Sequence, residues 1–214
     1  MYFKYGKTEI NALKEKDPIL AKVIDQIGVI HREVNHDLFS SIVNSIVGQQ
    51  ISTKAHKTIW KRMIDALGSV NADTILSTDI DFLQSLGMSY RKVEYIVDFA
   101  QKVKNKEIDL DHISQLSDKE IIIELSRLKG IGVWTAEMML LFCLERPNVL
   151  SYDDLAILRG MRMVYHHRKI TRPLFEKYRR RLSPYCSVAS LYFWAVASGN
   201  YEGFKDYAPR KRAV

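Results

Sequence analysis

LSRLKGIGVWTAEMMLLFCLERPNVLSYDD, residues 125–154, carries the decisive pattern of this 214-residue chain. It joins an apolar helix end to a turn, Lys129-Gly130-Ile131-Gly132, then to an almost wholly apolar second helix. A short loop with Pro147 follows, and two aspartates open another helix. Two glycines one residue apart permit a tight turn and a close backbone approach, while the next helix presents N–H groups and the positive end of its dipole. The stretch therefore reads as a backbone clamp for phosphate set a fixed distance from a carboxylate. An ordinary helix-turn-helix corner uses glycine in the same way, and capping accounts for at least one of Asp153 and Asp154.

Outward from this stretch, helix punctuation is frequent and strand patterning scarce. Asp17-Pro18 opens a helix that Gly28 closes. From Asp37, apolar residues at Leu38, Ile42, Val43, Ile46, Val47 and Ile51 follow helical spacing, and a second helix runs from about Ser52 to Leu67. A short one, Ile80 to Leu86, stops at Gly87, and Ser89 starts another. Ser117-Asp118-Lys119-Glu120 is a capping-box pattern leading into the turn. Beyond Asp154 the helices are Leu155 to Val164, Arg172 to Leu182, and Pro184 to Ser198. The expectation is an all-α protein of about ten helices, with a mobile tail from Phe204 to Val214.

Composition excludes several classes. With 47% apolar and 27% charged residues, the chain can bury a core. No apolar run is longer than Met138 to Leu144, which is far short of the roughly 20 residues of a membrane helix, and no signal peptide is recognisable. Cys143 and Cys186 are too few for a disulfide framework or a four-cysteine metal site, so a cytoplasmic protein is expected, nucleoid-associated in a prokaryote. The net charge of +7 is uneven. From Arg159 to Val214 there are 13 Lys and Arg against three acids, a net of +10, which leaves −3 for the rest. That asymmetry points to a polyanionic partner, or else to a solvated basic face.

Two further features fit a nucleic-acid partner and also have plain structural readings. Trp134 and Trp194, with Tyr192 and Phe193, could stack on a flat base or simply fill a core. In SIVGQQIS, residues 45–52, Gly48, Gln49 and Gln50 interrupt an apolar face; the glutamines could fill a gap in disturbed DNA or sit at a helix bend.

As an ordered set, SIVGQQIS (45–52), SLGMSYRKVEYI (85–96), LKGIGVWTAEMML (128–140), SYDDLAI (151–157) and SPYCSVASLYFWA (183–195) resemble the helix-hairpin-helix (HhH-GPD) superfamily of base-excision DNA glycosylases. Within it, the likeness is to the 3-methyladenine DNA glycosylase II branch. The resemblance implies a single unit over 1–214 with two lobes, one of about 37–145 and one of 1–36 with 146–214, and an active-site cleft between them. It implies that Asp154 is the catalytic aspartate, Asp153 being left as a cap. Trp134, Met138 and Trp194 become base-pocket residues, Met138 standing where the alkylation-specific relative has a tyrosine. Leu128, Lys129, Gly130, Ile131, Gly132 and Thr135 belong to the DNA-binding hairpin; Lys129 replaces its usual proline and adds a candidate phosphate contact. Gln49 and Gln50 face the gap, and Tyr90 wedges into the emptied stack. Trp134 stands where lyase-competent members carry a Schiff-base lysine, which implies a monofunctional enzyme.

The implied activity is hydrolytic removal of alkylated purines, of the 3-methyladenine and 7-methylguanine type, from double-stranded DNA. The expected protein is a monomer with no cofactor and no tightly bound metal, although the hairpin carbonyls of Leu128 and Gly130 are candidates for a monovalent cation. A non-catalytic DNA-binding module and a glycosylase for oxidised or deaminated bases are the alternatives.

Overall fold

The computed structural model describes residues 1–209, and these form thirteen helices with no strand among them. Two precede the central region, α1 (Lys7–Lys16) and α2 (Pro18–Ile27). Eight follow: α3 (Leu38–Gly48), α4 (Thr53–Leu67), α5 (Ala72–Leu76), α6 (Ile80–Ser85), α7 (Tyr90–Lys104), α8 (Leu110–Gln115), α9 (Asp118–Ser126) and α10 (Val133–Phe142). The last three are α11 (Leu155–Tyr165), α12 (Arg172–Leu182) and α13 (Cys186–Ala197). None is long and apolar enough to cross a membrane.

The count of about ten was low, because α1, α5 and α8 escaped the reading. Each buries a single residue, Leu13, Ile75 and Ile113 respectively, so no apolar stripe marks it. Two boundaries also move: α3 ends at Gly48 instead of continuing toward Ile51, and α13 begins at Cys186.

The chain divides into two compact units, Met1–Val34 together with the segment from Glu145 onward, and Asn35–Leu144. In the first, α11 and α13 form the central pair, with α2 against both and α12 joined to α1 and α13. Gly160 makes the pair possible. A Cβ there would lie 2.1 Å from the carbonyl oxygen of Phe193, so the helices cross backbone to backbone. A wholly buried Asp17 ties the remaining helices in. One oxygen accepts the N–H groups of Ile19 and Leu20 at the start of α2, and the other accepts the Tyr165 hydroxyl at 2.9 Å and the Arg181 guanidinium at 3.1 Å. Tyr165 stacks on Tyr178 with centroids 3.9 Å apart.

The tail expected to be mobile is held along its described part: Asp206 makes a two-pronged pair with Arg162, both contacts 2.9 Å, and Tyr207 packs on His166. Arg210 to Val214, with Arg210-Lys211-Arg212, lie outside the described residues.

The second unit is built on α3, whose buried face (Leu38, Phe39, Ile42, Val43, Ile46, Val47) meets α4, α7 and α10. Phe39 stacks on Phe99 of α7 at 4.8 Å. Cys143 in this unit and Cys186 in the other are both buried thiols, and burial pushes their pKa to about 11 and about 12, so neither is a nucleophile near neutral pH.

Candidate functional site

In the first unit the site is Asp154. It is 7% exposed and is itself the N-cap of α11: Oδ1 accepts the N–H groups of Ala156 at 2.9 Å and Ile157 at 2.8 Å. The same oxygen accepts the indole N–H of Trp194 from α13 at 3.2 Å. A carboxylate oxygen thus sits on the positive end of a helix with a third donor from a neighbouring helix. Assigning the cap to Asp153 was wrong: that residue is exposed, and the cap falls one position later.

Two serines that the sequence reading did not single out set the approach to Asp154. Ser187 donates to the carbonyl of Arg146 and accepts the N–H of Val149, and Ser190 donates to the carbonyl of Val149. Both are fully buried on α13, so the helix that carries Trp194 also pins the loop leading to the aspartate. Their signal was two hydroxyls three residues apart inside an apolar helix. Tyr192 and Phe193 are not pocket aromatics. Both have no exposed surface and belong to the core, the Tyr192 hydroxyl donating to the carbonyl of Gly28.

In the second unit the hairpin links α9 and α10. Leu128 and Ile131 are buried and anchor it, joined by an Ile131 N–H to Leu128 carbonyl bond of 3.1 Å, while Lys129, Gly130 and Gly132 face outward. Gly130 has φ +82°, and a Cβ on it would come within 2.5 Å of the Tyr95 ring, so glycine is required by conformation and by space. At Gly132 a Cβ would meet nothing within 4 Å, and its φ of −98° is ordinary. Nothing inside the protein demands that glycine. It is exposed, and no side chain caps α10 behind it. Thr135 is buried in the first turn of α10 and Met138 one turn on, while Trp134 is 44% exposed.

Lys129, a candidate phosphate contact, is paired instead. Its ammonium lies 2.8 Å from Asp98, which also binds Lys102 at 2.8 Å. Lys102 and Lys129 together hold the Asp98 carboxyl below its usual range, and Asp98 in turn raises Lys129. The carbonyls of Leu128 and Gly130 are also engaged, the first by Ile131 and the second by the side-chain amide of Gln49 at 2.6 Å. Each of these oxygens thus accepts one hydrogen bond and keeps a second lone pair.

Gln49 and Gln50 form the turn between α3 and α4 and do not interrupt a helix. Lys92 of α7, also missed in the sequence, donates from its ammonium to the carbonyls of Val47 at 2.8 Å and Gln49 at 2.6 Å. Tyr90, 53% exposed at the start of α7, donates its hydroxyl to Asp81 at 3.0 Å.

The family model described as "HhH-GPD superfamily base excision DNA repair protein" matches residues 43–184. The chain belongs to the HhH-GPD superfamily. Its fold is similar to that of a DNA-3-methyladenine glycosidase from Bacillus halodurans, with 30% identity, a TM-score of 0.83, and coverage of 94% of this chain and 95% of that one. Among curated proteins, it is 29% identical over 197 residues to DNA-3-methyladenine glycosylase 1 of Schizosaccharomyces pombe, covering 90% of this chain and 86% of that protein. A Bacillus subtilis relative is 25% identical over 199 residues, and this HhH-GPD chain spans 66% of its length.

Proposed function

We propose that this HhH-GPD protein is a monofunctional DNA glycosylase that flips alkylated purines out of duplex DNA and hydrolyses their N-glycosidic bond. The observation that carries the reading is Asp154, a nearly buried carboxylate whose Oδ1 is held by two backbone N–H groups and the Trp194 indole. The names of its Bacillus halodurans and fission-yeast relatives support the substrate class. A monomer is the proposed working form.

A purine alkylated at N3 or N7 is positively charged and departs without strong general-acid help. The C1′–N bond breaks, its electron pair leaves with the base, and positive charge develops on the sugar. Asp154 stabilises that oxocarbenium-like centre; a water molecule adds to C1′ and gives its proton to the carboxylate, leaving an abasic site and free base. Flipping costs a few kcal/mol. Hairpin amides on phosphate, Tyr90 in the vacated stack, and aromatic stacking on the base offset it.

The test is Asp154→Asn, assayed in single turnover on duplexes containing 3-methyladenine or 7-methylguanine. Loss of a principal electrostatic stabiliser lowers base release about a hundredfold or more, with binding to abasic-site DNA retained. Release within about threefold of wild type would remove Asp154 from the mechanism.

A further inference from the structure

Three parts of the second unit that the proposed reading brings to DNA are joined by one helix. Tyr90 is the first residue of α7, Lys92 the third, and Tyr95, whose ring lies against Gly130, sits one turn further on. Between them, the Lys92 ammonium reaches back to the end of α3 and takes the carbonyls of Val47 and Gln49. These are among the last carbonyls of a helix, groups left without partners by the helix itself, and a cation there also answers the negative end of the dipole.

The next residue shows what the contact holds. Gln50 has φ +57°, a left-handed conformation uncommon and strained for a residue with a side chain. Such strain persists only where the surroundings impose it. On one side of Gln50 the Gln49 carbonyl is held by Lys92, and the Gln49 amide is held by Gly130 of the hairpin at 2.6 Å. On the other, Ser52 caps α4 by accepting the N–H of Ala55. Gly48 closes the arrangement, since a Cβ there would come within 2.9 Å of the His56 ring. Gln50 is exposed, and its side chain makes no hydrogen bond among the described residues. A strained backbone is thus held in place around an amide directed at nothing within the protein.

We propose that Lys92 is a positioning residue: by holding the carbonyls of Val47 and Gln49 it keeps the Gln49–Gln50 turn, and the Gln50 amide, aimed at the gap that a flipped nucleotide leaves in DNA. This rests on the reading of the protein as a base-flipping glycosylase. Withdrawal from water by burial lowers the Lys92 pKa. Lys92 touches no reacting atom. Its effect is on recognition of opened DNA and not on attraction to duplex in general.

The experiment measures binding of the full chain to an abasic-site duplex and to an undamaged duplex of the same sequence, over a range of salt. Lys92→Met is expected to weaken the abasic complex about tenfold and the undamaged complex less than threefold, with the salt dependence of both unchanged. Gln50→Ala shows the same selective loss, and the double variant is no worse than the poorer single one within about twofold, because one residue acts through the other. Equal loss on both duplexes overturns the proposal, as does an additive double variant. So does a drop of about 0.9 in the salt slope, which marks a direct phosphate contact. Should Lys92→Met not fold, Lys92→Arg carries the same comparison, since it keeps the charge and alters its reach. A wild-type protein with no preference for abasic DNA overturns the glycosylase reading itself, and that result is distinct from all of these.

Discussion

Asp154 caps α11 through Oδ1, and in the proposed mechanism its carboxylate also supplies the stabilising charge; the two uses respond differently to substitution. Asparagine caps a helix about as well as aspartate, so Asp154→Asn removes the charge and leaves the fold; alanine would remove both and cost about 1 kcal/mol of stability besides. The choice between Asp153 and Asp154 also shows where local reading stops. Both acids satisfy a cap pattern, and what selects the second is tertiary, the Trp194 indole arriving from a helix 40 residues away. Trp134 makes a statement about absent chemistry. It occupies the position where the resemblance places the Schiff-base lysine of lyase-competent members, and an indole forms no such adduct. Borohydride treatment during turnover on alkylated DNA should therefore trap no covalent protein–DNA complex, and the abasic strand should remain uncut. A trapped complex would show that another amine takes the lysine's part.

The α11–α13 crossing is the element on which the aspartate depends. Glycine inside a helix normally costs about 1 kcal/mol relative to alanine, so Gly160→Ala ought to stabilise α11 in isolation. Here the added Cβ would meet the Phe193 carbonyl at 2.1 Å, a backbone atom that no rotamer change can move. The helices must separate, at a cost of about 1–3 kcal/mol or more, and Trp194, the residue after Phe193, moves with them. Gly160→Ala is expected to lower the melting temperature by about 5–10 °C and to reduce base release even where the protein is folded. An unchanged melting temperature would mean that the crossing relaxes freely. Ten of the thirteen helices were legible because capping residues and apolar spacing are local signals. Those lost, α1, α5 and α8, bury one side chain each. The supports of the site were illegible for the opposite reason. Lys92 reaches carbonyls 43 and 45 residues back, and Ser187 and Ser190 reach a loop about 40 residues upstream, pairings that leave no periodic trace.

Across the molecule, charge is the property that acts at a distance. The +10 between Arg159 and Val214 is partly spent within the fold: Arg159 and Arg162 pair with Asp206, Arg172 and Arg179 with Glu176, and Arg181 with Asp17. Arg168, Lys169, Lys177 and Arg180 are exposed and enter no ion pair in the described structure. They are absent from the hairpin and from the Asp154 site, so under the proposed function their contribution is to the field that would draw DNA in. Such a field raises association rates tenfold or more and is screened by salt, with a Debye length near 30 Å at about 0.01 M and near 3 Å at about 1 M. Replacing all four by alanine should slow association with duplex DNA about fivefold to tenfold at low salt. The difference should vanish toward about 1 M salt, with the dissociation rate and single-turnover base release within about twofold of wild type. Stopped-flow association at several salt concentrations decides it. If the loss appears in the dissociation rate instead, these residues touch the DNA, and the basic segment is a binding surface in its own right and not only a source of long-range attraction.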